Sequence, residues 1–306
     1  MTVVCVTGAS GFIGGALVRR LKELDQEVLP ANRGAAATGI GDLSRRSRAE
    51  LARALAGADA VYHLAGLHEG SRHATAADFD AVNRQLTLRL FNAACAAGVR
   101  AFVWLSTIKV LGEVSEAPLR PDAAQAPASD YARSKASAER ALLDAGRQST
   151  TLAIVRAPLV YGPGVRGNFA ALMRLCGTGL PLPLAGATAL RSMVGLANLV
   201  DFLARVPAGN LDGKEILHVR DAKEWSVTEL AGELQRLSGR SSRQFPMSGK
   251  LAGSIAGWLG GRDLVTRLFE PLRVEGEASA RRVGWKPPWP SEELLKETVA
   301  WTRRKR

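Results

Sequence analysis

The sequence predicts an α/β fold, a doubly wound parallel sheet with a second, smaller mixed α/β unit. Three observations carry that expectation. Short apolar runs alternate with longer segments of helical period through the first half of the chain. A glycine-rich turn stands directly between the first apolar run and the first helical segment. Beyond about residue 162 the texture changes to shorter helical segments punctuated by glycine and proline.

In chain order, Val3–Val6 reads as a strand followed by a helix through Leu21, and Glu27–Leu29 as a strand followed by a loop. Ala60–His63 is the next strand, ahead of a long helix from about Asp78 to Ala97. Ala101–Leu105 is a strand followed by a loop, Ser129 to Ala145 a helix, and Thr151–Val155 another strand. Right-handed crossovers gather the C-terminal ends of such strands at one sheet edge, where ligands bind. Gly162-Pro163-Gly164, the stretch from Gly177 to Gly186 and Lys286-Pro287-Pro288-Trp289-Pro290 punctuate the second unit. Leu217-His218-Val219 is expected to return to the main sheet as one more strand. The first unit then comprises 1–164 plus about 192–220, and the second about 165–191 and 221–306.

Bulk properties fit an ordinary globular protein. The 306 residues are 46% hydrophobic, enough to bury one large core or two unequal ones. The balance of 41 basic against 29 acidic residues gives a net charge of +12, which attracts phosphates and other anions. The terminal run Arg303-Arg304-Lys305-Arg306 reads as a solvated tail, with an acidic lipid surface or partner as the alternative. No basic segment, apolar core and cleavage site precede Val3, so no export signal is expected. The longest weakly polar stretch, Leu251 to Gly261, is far shorter than the roughly 20 residues of a spanning helix. Cys5, Cys95 and Cys176 are far apart and odd in number, which reads as buried thiols in a reducing cytoplasm.

Three motifs carry chemistry. Thr7-Gly8-Ala9-Ser10-Gly11-Phe12-Ile13-Gly14 lies between strand and helix, where glycines permit a tight turn and close approach of a dinucleotide pyrophosphate to a positive helix end. Tyr131 and Lys135 stand at i and i+4 early in a helix, on one face. A phenol titrates near pH 10, and a neighbouring ammonium draws it towards neutrality by favouring the phenolate. Ser106-Thr107, at the end of a strand, place two hydroxyls at the C-terminal sheet edge, suited to holding a reacting oxygen beside the phenol.

With these three motifs in this order, the chain resembles the extended short-chain dehydrogenase/reductase family, whose fold is the Rossmann type. The family contains nucleotide-sugar epimerases, dehydratases and 4-keto reductases. The resemblance implies that Tyr131 is the acid/base, that Lys135 binds the nicotinamide ribose and lowers the phenol's pKa, and that Thr107 rather than Ser106 bonds the reacting oxygen. It also implies cofactor contacts from Gly8, Ser10, Gly11, Phe12, Ile13 and Gly14. Asp42-Leu43 resembles the pair that contacts adenine, and Leu64-Ala65-Gly66 the loop passing under the cofactor. Asn83 matches a structural asparagine, and Pro158 a residue flanking the nicotinamide.

At the end of the second strand the family's NAD-type acidic residue is replaced by Asn32-Arg33. An arginine there can pair with a 2′-phosphate, so NADP is favoured over NAD. Ser106-Thr107-Ile108-Lys109-Val110 and the segment Arg191–Asp201 look most like bacterial UDP-4-keto-6-deoxy-N-acetylhexosamine 4-reductases of surface-polysaccharide (O-antigen, lipopolysaccharide) precursor synthesis. On that resemblance Arg191 pairs with the diphosphate of a UDP-linked sugar and Asn168 faces the nucleotide. A UDP-hexose 4-epimerase using the same Thr, Tyr and Lys is the alternative, and a non-catalytic dinucleotide-binding regulatory protein is a third reading. The resemblance also implies a homodimer through the helices near 78–97 and 129–145. The histidines have no metal-ligand spacing, and no nucleic-acid motif accompanies the charge.

Overall fold

The computed structural model describes residues 2–32, 42–71, 73–145, 149–246 and 270–304. Its larger sheet contains β1 (Val3–Thr7), β2 (Glu27–Ala31), β3 (Ala60–His63), β4 (Ala101–Thr107), β6 (Thr151–Ala157) and β10 (Lys214–His218). The order is β10-β6-β4-β3-β1-β2, and every neighbouring pair is parallel. Chain direction across the sheet reverses between β1 and β3, so the crevice at that switch point opens beside the glycine-rich turn. β10 is the returning strand expected at Leu217-His218.

Side-chain alternation divides the core. Val4, Val6, Ala101, Val103, Ala153 and Val155 point to one face and pack with Leu17 and Leu21 of α1 (Phe12–Glu23) and with α7 (Leu196–Arg205). Cys5, Phe102, Trp104, Leu152 and Ile154 point to the other, against α2 (Arg48–Leu55), α4 (Leu86–Ala96) and α5 (Asp130–Asp144). Strands buried on both faces read as continuous apolar runs, which is why they were visible in the sequence.

Three local differences from the sequence reading have physical causes. The segment expected as a loop after β2 contains α2, started by a capping box in which Ser47 and Glu50 satisfy each other's backbone amides. The helix expected from about 78 to 97 is interrupted: α3 (Ala76–Phe79) passes into a π-helical stretch (Asp80–Gln85) before α4. The loop expected after β4 holds a 3₁₀ turn (Ile108–Val110) and β5 (Ser115–Leu119), which leaves the large sheet and pairs with β12 (Leu272–Val274).

The smaller sheet has the order β11-β8-β12-β5, with β8 at Leu190–Arg191 and β11 at Trp225–Ser226. A separate parallel pair joins β7 (Leu159–Tyr161) to β9 (Met193–Gly195). α6 (Gly167–Gly177), α8 (Val227–Leu237) and α10 (Ser291–Arg304) pack around a third core that includes Phe169, Met173, Leu230, Leu234 and Leu295. α9 (Glu277–Val283) lies against β10, its Ser279 accepting from the His218 amide at 2.8 Å. At the junction the buried Asp221 carboxylate accepts from the Tyr161 hydroxyl at 2.7 Å, the Asn198 amide at 2.7 Å and the Gly195 backbone at 3.0 Å. One carboxylate thereby ties β7, β9 and α7 together.

Candidate active site

The glycine-rich turn cannot accept side chains. Gly8 is left-handed at φ +70°, and a Cβ there would lie 2.8 Å from the Ala65 nitrogen; a Cβ on Gly14 would lie 2.1 Å from the Gly8 carbonyl. Gly11 caps α1 without any side-chain hydrogen bond, so the first-turn amides are left for an external partner. A bare helix N-terminus behind glycines held this tightly fits the pyrophosphate of a dinucleotide. Asn32 lies beside it, its Oδ1 accepting from the Ser10 amide at 2.8 Å. Arg33 lies outside the described residues.

Beneath the turn is a closed polar chain. The Thr7 hydroxyl accepts from the Leu64 and Ala65 amides and so donates to His63 Nδ1 at 2.6 Å. His63 Nε2 then donates to Thr87 at 2.9 Å, whose hydroxyl donates to the Asn83 carbonyl. Burial, with the Lys135 charge second, pushes the imidazole down to about 3, so it stays neutral. Asn83, in the π-helical stretch, accepts from the Leu67 amide and donates to the Leu67 carbonyl and the Ser134 hydroxyl. Its amide is fully used in bracing the β3 loop to α5.

Thr107, Tyr131 and Lys135 meet at the C-terminal edge of β4. The Ser129 hydroxyl caps α5 at the Ala132 amide, which sets the helix start so that Tyr131 and Lys135 share the face towards β4. The Thr107 hydroxyl stands near the Tyr131 phenol, while Phe79 packs against its ring. Lys135 Nζ donates to the Leu105 carbonyl at 3.0 Å and sits 4.6 Å from the centre of the Trp104 ring.

The electrostatics differ from the sequence expectation. Burial pushes the phenol up to about 12, against the lowering effect of the nearby Thr107 hydroxyl. Burial also pulls the Lys135 ammonium down to about 8, with Glu139 opposing. Lys135 spends its hydrogen bond on the strand rather than on the phenol, so in this arrangement Tyr131 is a protonated donor across the physiological range.

Ser106 points elsewhere. Its hydroxyl donates to Glu139 at 2.6 Å, and that carboxylate forms a buried ion pair with Arg156 at 2.7 Å. Gln125 donates to the same carboxylate, and Arg156 reaches the Pro121 carbonyl. Glu139 was missed in the sequence, although it stands four residues after Lys135 on the same helix face. Also missed was Glu69, which with Glu113 pairs the Lys109 ammonium at 2.6 and 3.0 Å, next to Thr107.

The remaining positions are dispersed over the fold. Asp42 accepts from the Ser44 amide and hydroxyl, and Leu43 is buried in the core. Leu64 and Ala65 are half-buried, Gly66 is exposed, and Pro158 is buried between β6 and β7. On the smaller sheet's side Asn168 is exposed in the first turn of α6, and Arg191 on β8 donates to the Glu270 carbonyl. Among the described residues no histidine, cysteine and carboxylate group is arranged to hold a metal, and no helix is long and apolar enough to cross a membrane.

A Rossmann sheet with a Thr, Tyr and Lys set at the strand ends defines a dinucleotide-dependent oxidoreductase of the extended short-chain type. Residues 4–216 match the NAD dependent epimerase/dehydratase family, and the chain belongs to that family. It is 32% identical to a UDP-glucose 4-epimerase of Vibrio cholerae over 97% of this chain and 94% of the relative. Among solved structures it is similar to MoeE5, at 26% identity over 99% of both chains with a TM-score of 0.77, in complex with UDP-glucose and NAD. MoeE5 has also been solved with UDP-glucuronic acid and NAD. A dTDP-glucose 4,6-dehydratase from Streptomyces venezuelae with NAD bound matches at 26% identity over 100% of this chain and 98% of the other, TM-score 0.77.

Proposed function

We propose that the protein oxidises and re-reduces C4 of a UDP-linked hexose, inverting it, with NAD held on the larger sheet. The observation that carries this reading is the joining of Thr107, Tyr131 and Lys135 at one strand end, beside an uncapped helix N-terminus that fits a pyrophosphate. The Vibrio cholerae relative, similar over nearly the whole chain, supports epimerisation in particular.

Gly8, Gly11, Phe12, Ile13 and Gly14 would hold the pyrophosphate, Asp42 and Leu43 the adenine side, and Lys135 the nicotinamide ribose, with Asn83 bracing the loop of Leu64, Ala65 and Gly66. When bound there, the nicotinamide would supply hydride transfer at C4. Tyr131 exchanges the O4 proton, and Thr107 hydrogen-bonds both the phenol and O4, fixing the distance over which that proton moves. Asn168 and Arg191 bind the nucleotide diphosphate, for which a guanidinium fork suits the phosphate oxygens. Residues 1–164 with about 192–220 form the cofactor unit and the rest the substrate unit. The protein works as a homodimer, which light scattering at working concentration checks: a monomer would remove that part.

A second reading is 4-keto reduction of a UDP-4-keto-6-deoxy-N-acetylhexosamine in O-antigen precursor synthesis. The protonated state of Tyr131 favours it, because reducing a carbonyl requires a proton donor. The two readings separate in one assay. Purified protein with UDP-glucose or UDP-galactose and catalytic NAD should interconvert the two sugars without net cofactor reduction. Stoichiometric oxidation of NADPH or NADH by the 4-keto sugar, with no interconversion, would replace epimerisation by reduction. Arg33→Ala tests whether Asn32-Arg33 selects NADP instead of NAD: if it does, NADP affinity should fall far more than NAD affinity.

A further inference from the structure

We propose that the surface where α6, α8 and α10 end together docks the protein on an anionic lipid bilayer. The inference goes beyond the C4 chemistry and does not depend on it.

Contiguity is the first argument. Arg240, just past α8, donates through Nε to the Gly177 carbonyl that ends α6, at 3.3 Å. Arg303, in the last turn of α10, donates to the Ser238 carbonyl that follows α8, at 2.6 Å. Beside these helix ends two short segments run together: the Leu182 amide donates to the Arg243 carbonyl at 2.9 Å, and the Phe245 amide to the Leu182 carbonyl at 3.0 Å. Arg174 in the last turn of α6, Arg240, Arg243, Arg303 and Arg304 are all exposed, and these bonds gather the segments that carry them.

Charge is the second. Residues 165–190, 234–246 and 298–304 contain no aspartate or glutamate, so no acid within these segments offsets the arginines. Glu233, one residue ahead of the second segment, is paired to Arg236 at 2.5 Å. Arg240 and Arg303 cover helix-end carbonyls, where a cation is stabilised in any helix. Arg174, Arg243 and Arg304 have no such duty: among the described residues their guanidinium groups make no hydrogen bond or ion pair. They are free to meet phosphate.

Apolar exposure is the third, and it chooses between anionic partners. Leu180 is 60%, Leu175 41% and Phe245 40% exposed. They alternate with the charges, as Arg174-Leu175 and Arg243-Gln244-Phe245-Pro246. An acidic polypeptide or a nucleic acid would satisfy the guanidinium groups and leave these side chains in water. A bilayer meets both needs, with headgroup phosphates for the arginines and the acyl boundary for leucine and phenylalanine. Docking there also leaves Asn168 clear, because it stands at the opposite end of α6, a helix about 16 Å long.

Co-sedimentation of the full chain with vesicles tests this. The protein should pellet with vesicles of equal parts phosphatidylglycerol and phosphatidylcholine, and stay in solution with phosphatidylcholine alone. An arginine near an anionic surface multiplies partitioning about fivefold, so Arg174→Ser, Arg243→Ser and Arg304→Ser together should weaken it about 100-fold. Arg45→Ser, Arg48→Ser and Arg281→Ser together remove the same charge from exposed positions on α9 and at the start of α2, and should weaken it less than about threefold. Leu180→Ser with Phe245→Ser, at unchanged charge, should weaken it about tenfold. Each variant should keep the circular dichroism of the unaltered protein, since every replaced side chain is exposed. Failure of the unaltered protein to pellet with the anionic vesicles, or equal losses from the two triple variants, overturns the docking surface. Pelleting indifferent to Leu180→Ser and Phe245→Ser, with equal retention on immobilised polyglutamate, would replace the bilayer by an acidic polypeptide.

Discussion

The two sides of the cleft are built differently. On the cofactor side, polar groups are buried and already bonded within the protein: Thr7 to His63 to Thr87, Asn83 to Leu67 and Ser134, Lys135 to Leu105, Glu139 to Arg156. On the side proposed for the substrate, Asn168 is exposed and half-buried Arg191 donates to a backbone carbonyl among its contacts. A prebuilt polar frame costs no reorganisation when the ligand arrives and fixes the chemistry. An exposed side chain such as Asn168 adapts, and it can change between relatives without disturbing the frame. In a family that handles many sugars, the invariant step belongs on the first side and the choice of substrate on the second.

Substitutions on the two sides should therefore fail in different ways. The largest effect is expected from Tyr131→Phe, which removes the proton carrier and leaves the fold and the cofactor frame. Steady-state kinetics should show kcat down on the order of 10³-fold with NAD affinity kept. Next, Glu139→Ala leaves Arg156 as an uncompensated buried cation and should cost about 3–5 kcal/mol in urea unfolding, whereas Arg191→Ala should change stability by less than about 0.5 kcal/mol. Equal costs at the two positions would erase the contrast. Arg191→Ala should instead appear in kinetics, raising KM about tenfold with kcat nearly unchanged, because its proposed contact is with the diphosphate and not the reacting carbon.

The smallest effect is a matter of pH. Burial holds Lys135 near 8, below its ordinary 10.5, so between those values the native state binds fewer protons than the unfolded chain. The native state's cost of holding this charge is full below about pH 8 and is relieved as pH rises, so this group's contribution to stability increases between about pH 8 and 10.5. NAD affinity should move the opposite way, weakening above about pH 8 as the ammonium is lost. Fluorescence titration of NAD across pH should show this decline in the unaltered protein and a flat profile in Lys135→Met.

What could be read from the sequence follows the range of the interactions. Tyr131, Lys135 and the glycine turn are recognisable because their patterns lie within a few residues, between elements whose periods are plain; Thr107, well upstream of Tyr131, is recognisable by its place at the end of a plain strand and by the order of the three motifs. Glu139 pairs Arg156 across 17 residues, and Glu69 pairs Lys109 across 40, so both depend on the fold bringing distant segments together. β5 contains Pro118, and β8 and β11 are two residues long, too short for any alternation to register. The π-helical stretch shifts helical register by a residue without altering composition, so a single helix was expected there. α2 had its signal, Ser47 three residues before Glu50, but lies beyond the glycine- and alanine-rich stretch that follows β2, which reads as loop.

The most direct test of the C4 chemistry follows the hydrogen itself. UDP-glucose carrying deuterium at C4, incubated with the NAD-loaded protein in ordinary water, should yield UDP-galactose with the deuterium still at C4, because hydride leaves to the nicotinamide and returns. Loss of the label to solvent would mean that C4 is deprotonated rather than oxidised, and turnover that persists undiminished in Tyr131→Phe would take the proton transfer away from the phenol.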